Sequence, residues 1–256
     1  MTAENKAKGI LLNHYGHHLG DFDCYQGYLF IPVTDDGQPY IAVFSAADLS
    51  FVTKQAIQRN GSYFTGIGWC AINPKDGSLY TSDKHAKNQF GSGCSPVVIY
   101  EIDLPAIRAR SGNFLRYKAQ LSLKDENGKA LTLEHMQGGC FDNANHLHTN
   151  NGYPSYYGTN YANGKGGISI FTVPGAIIEN TNYTTNRIAH SNQTGKSDPF
   201  RYQFNSKVGG EEPEGLTYWD LNDKRAPEIT GVLHAIMLDN AGTGADDFYF
   251  KHYKRI

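Results

Sequence analysis

One phrase recurs along this chain: a polar segment bearing His or Glu, a glycine, a short strand-like run, a turn, and an apolar strand. It reads HHLGDFDCYQGYLFIPV from His17, TGIGWCAINPKDGSLYTS from Thr65, HMQGGCFDNANHLHTNN from His135 and EPEGLTYW from Glu212, with the apolar run GVLHAIML following from Gly231. Anchored on Gly20, Gly68, Gly138 and Gly215, the phrases stand 48, 70 and 77 residues apart. The first interval suits one four-stranded unit, and the longer ones call for inserted loops.

Composition agrees with many short strands. Among 256 residues there are 28 Gly, 17 Tyr and 13 Phe, and only 19% are charged. Glycine serves turns, and aromatic residues suit half-buried strand positions. An all-β fold commonly reaches this length undivided, so one domain over 1–256 is expected. The formal net charge of −2 offers no basic field for nucleic acid or an anionic membrane. No apolar run approaches the roughly 20 residues that span a bilayer.

The start, MTAENKAKGILLNHYG, lacks the apolar centre of a secretory signal, which leaves an intracellular protein or a mature secreted domain. Sequons at Asn60, Asn182 and Asn192 are permissive of secretion. Cys24, Cys70 and Cys140 sit in the first strands of their repeats and Cys94 in the loop GSGCSP. A disulfide, with Cys70 to Cys94 the most local pair, and free core thiols are the two readings.

In chain order, strands are expected in GILLN within residues 8–15, at Tyr28–Val33, Tyr40–Ser45 and Thr53–Gln58, then Gly68–Asn73, Ser78–Ser82, Val97–Ile102 and Arg116–Leu123. The third unit runs from His135 through His146–Thr149 and GISIFTV to Ile188–Ser191. The fourth holds Gly215–Trp219, Gly231–Leu238 and Phe248–Tyr253, and stops one strand short. GILLN completes that last sheet if the chain closes into a ring. This closure favours a β-propeller of four visible repeats, with four or five blades, over a sandwich. A fifth blade would lie in residues 83–134 or 150–211.

The phrases GDFDCYQGYLFIPV, WCAINPKDGSLYTS, QGGCF, EEPEGL and DDFYFKHY together resemble secreted bacterial β-propeller proteins. EPEGL and NPKDGSLY are similar to the strand grammar of six-bladed gluconolactonase-like propellers, the senescence marker family. That resemblance implies export and metal-dependent lactone hydrolysis. The family holds one divalent ion with a Glu, two Asn and an Asp, and only Glu212 or Glu214 can be set against that group here.

In a propeller the first strand of each blade lines the central channel, so residues at equal offsets before the glycines form rings. Three before, they are His17, Thr65, His135 and Glu212; one before, they are Leu19, Ile67, Gln137 and Glu214. His17, His135 and Glu212 are the candidate metal ligands, with zinc the ion such groups favour, or the acid and base for a small molecule. Hydrated polar groups at a channel end are the plain alternative. His18 and Asp21 extend the cluster, although Asp21 could equally bond backbone amides between blades. Trp69, Trp219 and the loop around Tyr153, Tyr156 and Tyr157 offer aromatic faces for a sugar, while core packing is the better account of the tryptophans.

His146 and His148 point to one face opposite Leu147 and read as a surface pair. His234 reads as a hydrogen-bonded core residue. Asp239, Asp246 and Asp247 are the best calcium candidates in the acidic loops, without the spacing of an EF-hand. No nucleophile elbow, phosphate loop or Cys-x-x-Cys is present.

The expected function is therefore recognition of a small molecule or glycan at the channel mouth, through His18, Asp21, Trp69, Gln137, Glu214 and Tyr156. Hydrolysis of the lactonase or esterase type, assisted by a divalent metal, is the alternative.

Overall fold

A computed structural model describes residues 18–34, 38–59, 61–83, 96–124, 136–151, 167–173, 182–189, 211–219, 232–239 and 247–253. The structure is all-β, built of several antiparallel sheets with one short helix among the described residues.

The first unit holds β1 (His18–Leu19), β2 (Asp23–Tyr25), β3 (Tyr28–Thr34), β4 (Tyr40–Ser45) and β5 (Phe51–Ala56). Its strands β1, β3, β4 and β5 pair in that order, and β2 folds back on β3. Tyr25 pairs directly with Tyr28 across a two-residue turn, Gln26 and Gly27, both at positive φ. That is the left-handed geometry a tight hairpin requires, and Gly27 adopts it without steric cost. A small hairpin follows, β6 (Gln58–Arg59) with β7 (Ser62–Tyr63).

The second unit is β8 (Ala71–Ile72), β9 (Leu79–Thr81), β10 (Pro96–Ile102) and β11 (Leu115–Lys124). The third is β12 (Met136–Phe141), β13 (His146–Asn151), β14 (Gly167–Thr172) and β15 (Asn182–Ala189). Both are antiparallel meanders. The fourth comprises β16 (Glu211–Tyr218), β17 (Leu233–Asp239) and β18 (Asp247–Tyr253).

Sheets of this kind stay ordered only if their apolar faces are covered, and here each sheet covers the next. Phe30, Ile41 and Val43 of the first unit pack with Ile72, Leu79, Val98 and Tyr100 of the second. The opposite face of the second unit, with Trp69, Val97, Ile99 and Leu121, meets Met136, Phe141, Leu147 and Phe171 of the third. The other face of the third, with Cys140, Ile168 and Ile170, meets Leu216, Leu233 and Ala235 of the fourth. Burial on both faces explains why VVIY and YIAVF are continuous apolar runs rather than alternating ones.

Several boundaries differ from the sequence expectation, each for a local reason. β8 is short because the preceding backbone is engaged with another unit: the Asp21 amide donates to the Gly68 carbonyl and the Cys70 amide to the Asp21 carbonyl. Residues 104–108 form helix α1 (Leu104–Arg108), capped by the Asp103 carboxylate, which accepts from the Ala106 amide, and led by Pro105. Five residues are too few to show a helical period. The fourth strand of the third unit begins earlier than expected, at Asn182, and the second and third units share an edge through parallel pairing of Ser122–Lys124 with Asn182–Thr184. These two units thus form one eight-stranded sheet, not two separate ones.

The strands described within 83–134 and 150–211 belong to the second and third units. The GILLN segment lies outside the described residues, as does Cys94. A Cys70–Cys94 bridge is corrected: Cys70 is a free thiol, fully buried, with its Sγ 3.1 Å from the Phe30 carbonyl oxygen. Among the described residues no helix is long and apolar enough to cross a membrane.

Candidate functional site

The four anchor glycines do converge. A Cβ on Gly20 would stand 2.4 Å from the Gly68 carbonyl oxygen, and one on Gly68 would stand 2.6 Å from that of Met136. A Cβ on Gly215 would come 3.1 Å from Asp21 Oδ1. At Gly20 and Gly68 a side chain is excluded because backbones of neighbouring units touch there, and at Gly215 the Asp21 side chain of the first unit crowds the position.

Asp21 sits at the meeting point. Its amide and carbonyl pair with the second unit, while Oδ2 accepts from the Gly139 amide of the third (3.0 Å) and the Leu216 amide of the fourth (2.9 Å). One residue therefore ties the first unit to the other three. Burial pushes the Asp21 carboxyl well above the usual carboxylate range; the two amides oppose this, and nearby Asp23 and Glu214 add to it. The side chain is partly exposed along a cleft that it lines. Of the two roles read from the sequence for Asp21, bonding of amides between units is realised.

The equal-offset ring is realised in part. Gln137 and Glu214 meet, with Nε2 donating to Oε1 at 3.3 Å, and Gln137 is fully buried. Ile67 is buried and Leu19 is exposed. In the other ring Thr65 is exposed and bonds Asp83 through its amide and hydroxyl. His17, His135 and Tyr156 lie outside the described residues; so does the side chain of Glu212, whose backbone pairs with Leu238 in β16. Among the described residues no three His, Cys, Asp or Glu side chains stand together as an ion site.

Trp69 is a core residue. Its indole is fully buried against Gly139 and donates from Nε1 to Ser82 Oγ at 2.8 Å, so its face is closed to a sugar. Trp219 is the reverse, 52% exposed where core packing was expected. His18 is half-buried opposite Thr34 and is not among the described residues that line the cleft. His234 is a hydrogen-bonded core residue as expected, with Nε2 2.8 Å from the Trp219 carbonyl, which requires that nitrogen to carry the proton. Its Nδ1 lies 2.6 Å from Nδ1 of His252.

The surface pair is corrected for His148. Both imidazoles contact Asp142 Oδ2, at 2.7 Å for His146 and 3.4 Å for His148, but His148 is buried and faces the Tyr218 ring of the fourth unit. Burial pushes the Asp142 carboxyl up, yet hydrogen bonds from His148 and from the His146 amide and ring outweigh it and hold the group well below the usual range. Of the calcium candidates, Asp239 and Asp247 are paired in register, and Asp246 lies outside the described residues.

Between the first and fourth units lies a cleft of about 330 Å³ lined by residues 21–24, 215–217 and 234–236 and by Phe250. Phe22 and Phe250 expose 55% and 66% of their surface there. Asp23 accepts from the Ile72 amide through Oδ2 and from the Cys24 amide through Oδ1, both at 2.7 Å, and burial raises its pKa against those bonds. Sequence reasoning missed Phe22, Asp23, Thr217 and Phe250. A signal was present in GDFDC, where an aromatic residue stands between two carboxylates in a first strand, but its partner Phe250 is over two hundred residues away.

No protein-family model and no curated protein matches the chain. Among solved structures, a periplasmic gluconolactonase of Pseudomonas aeruginosa is 13% identical over 92% of this chain and 49% of its own, with a TM-score of 0.43. Hydrazine synthase of Kuenenia stuttgartiensis is 9% identical over 94% and 48%, TM-score 0.41. The allergen Mala s 1 of Malassezia sympodialis is 11% identical over 91% and 78%, TM-score 0.36. The chain spans about half the length of the first two, and similarity this distant carries no function across to it.

Proposed function

We propose that this chain is a small-molecule-binding protein of propeller-type architecture, with its ligand in the cleft between the first and fourth units. What supports the architecture is the cyclic contact of the four glycine-anchored segments and the stacking of successive sheets. The observation that carries the function is a cleft of about 330 Å³ in which two exposed phenyl rings stand with two carboxyls. A concave site with a few polar groups among apolar ones is the usual form of a small-ligand site. The cleft lies where two units meet, so its shape does not depend on a single loop.

Filling the cleft tests this. Thr217 lines it and is exposed, so Thr217→Trp should occupy the space without disturbing the core. In a thermal-shift screen of sugars, amines and carboxylates, a ligand at a hundred times its Kd contributes about 2.7 kcal/mol, a rise of several degrees. That rise is expected for the natural chain and not for Thr217→Trp; a ligand stabilising both equally would place the site elsewhere.

Metal-assisted hydrolysis is the second reading, favoured by the contact between Gln137 and Glu214. These residues share one offset before their glycines, and His135 and Glu212 share another two residues earlier. Stoichiometric zinc in purified protein, lost in His135→Ala and Glu212→Ala, is the expected result on this reading; protein that stays metal-free after incubation with zinc would remove it.

A further inference from the structure

The charge of the cleft narrows the class of ligand. Among the described residues lining it, Asp21 and Asp23 are the acidic ones and His234 of β17 the basic one, and Glu214 is near enough to Asp21 to act on its carboxyl. No lysine or arginine stands among those residues. Asp21 Oδ2 is committed to two backbone amides, whereas among the described residues no hydrogen bond reaches Oδ1. Resting on the cleft as the binding site, we propose that its ligand is a compact organic cation: an ammonium on an apolar body, its charge toward Asp21 and Asp23 and its carbon surface against Phe22 and Phe250.

The physical reasons are three. Partly desolvated carboxylates near one another repel, and a cation between them removes that repulsion, whereas a neutral sugar leaves it and an anion adds to it. Phenyl faces attract ammonium groups, more strongly where water is excluded. The volume admits a small amine and its substituents but not an extended chain. Cation binding also favours the ionised carboxyls. Burial raises both in the free protein, so affinity should rise with pH through their titration and binding at the lower end should release protons.

Cys24 reports on this directly, because it is exposed and lines the same cleft, while Cys70 and Cys140 are buried. The full chain is treated with methanethiosulfonates carrying either a trimethylammonium or a sulfonate group, and modification of Cys24 is followed by peptide mass. Normalised to the unfolded chain, the cationic reagent should react about tenfold faster or more. Choline should protect Cys24, and its uncharged carbon isostere, dimethylbutanol, should not. Asp23→Asn should reduce the rate ratio, and Phe250→Ala, at an exposed ring, should weaken protection without loss of fold.

Equal protection by choline and dimethylbutanol would overturn the cation and leave the cleft as a binding site. Equal normalised rates with no protection by either, and no ligand in the screen sensitive to Thr217→Trp, would overturn both. Protection that emerges only after residues 1–16 are removed would make the chain's own N-terminal segment the occupant and overturn the proposal.

Discussion

Asp21→Ala is expected to lower the free energy of unfolding by about 3–5 kcal/mol, measured as a shift of the urea midpoint, whereas Asp21→Asn should stay within about 1 kcal/mol of the natural chain. Alanine leaves two buried amides, Gly139 and Leu216, without an acceptor, and each such group costs about 1–3 kcal/mol. Asparagine keeps an oxygen where Oδ2 now accepts both bonds, and its amide nitrogen takes the place of Oδ1. That atom is also where a proton would sit, since Oδ2 already serves two donors.

The pH dependence has a definite sign. The folded Asp21 carboxyl is raised above its unfolded value. Its contribution to stability is therefore fully present below the ordinary carboxylate range and is lost as pH rises through the folded pKa. Asp21→Asn should remove that decline and come out relatively more stable at neutral pH than in acid. A variant as unstable as Asp21→Ala would show that the ionised carboxylate, and not the geometry of its acceptor oxygen, holds the units together.

The second large effect concerns the anchor glycines. Gly20→Ala and Gly68→Ala should each cost about 3 kcal/mol or more, because the new methyl meets carbonyl oxygens at 2.4 Å and 2.6 Å that belong to the backbone of a neighbouring unit. Neither can move without separating two units. Gly138→Ala should cost less, about 1–2 kcal/mol, since the group in the way, 2.7 Å off, is the Asn150 side chain of the same unit and not the backbone of a neighbouring one. Equal effects at all three positions in urea titrations would contradict this ranking.

Much of the strand order was legible because it is local. Tyr28–Val33, Tyr40–Ser45 and Val97–Ile102 announce themselves as apolar runs between turn residues, and they form β3, β4 and β10 with boundaries moved by at most a residue. The helix at Leu104 and the hairpin at Gln58 were not legible, being shorter than any period that would mark them. His148 was misplaced because alternation assigns a face and cannot say what covers it; the fourth sheet does.

The candidate site divides along the same line. From the sequence alone came the repeat, the four glycines, and the offset that brings Gln137 to Glu214, because a repeated phrase folds into repeated geometry. Tertiary structure alone decided that Asp21 is the tie between all four units, that Trp69 is closed to ligands, and that Phe22 and Phe250 line one cleft. Those facts depend on which backbones approach within hydrogen-bonding distance across more than a hundred residues of chain. Local pattern carries no record of that approach, since it is set by how whole sheets stack.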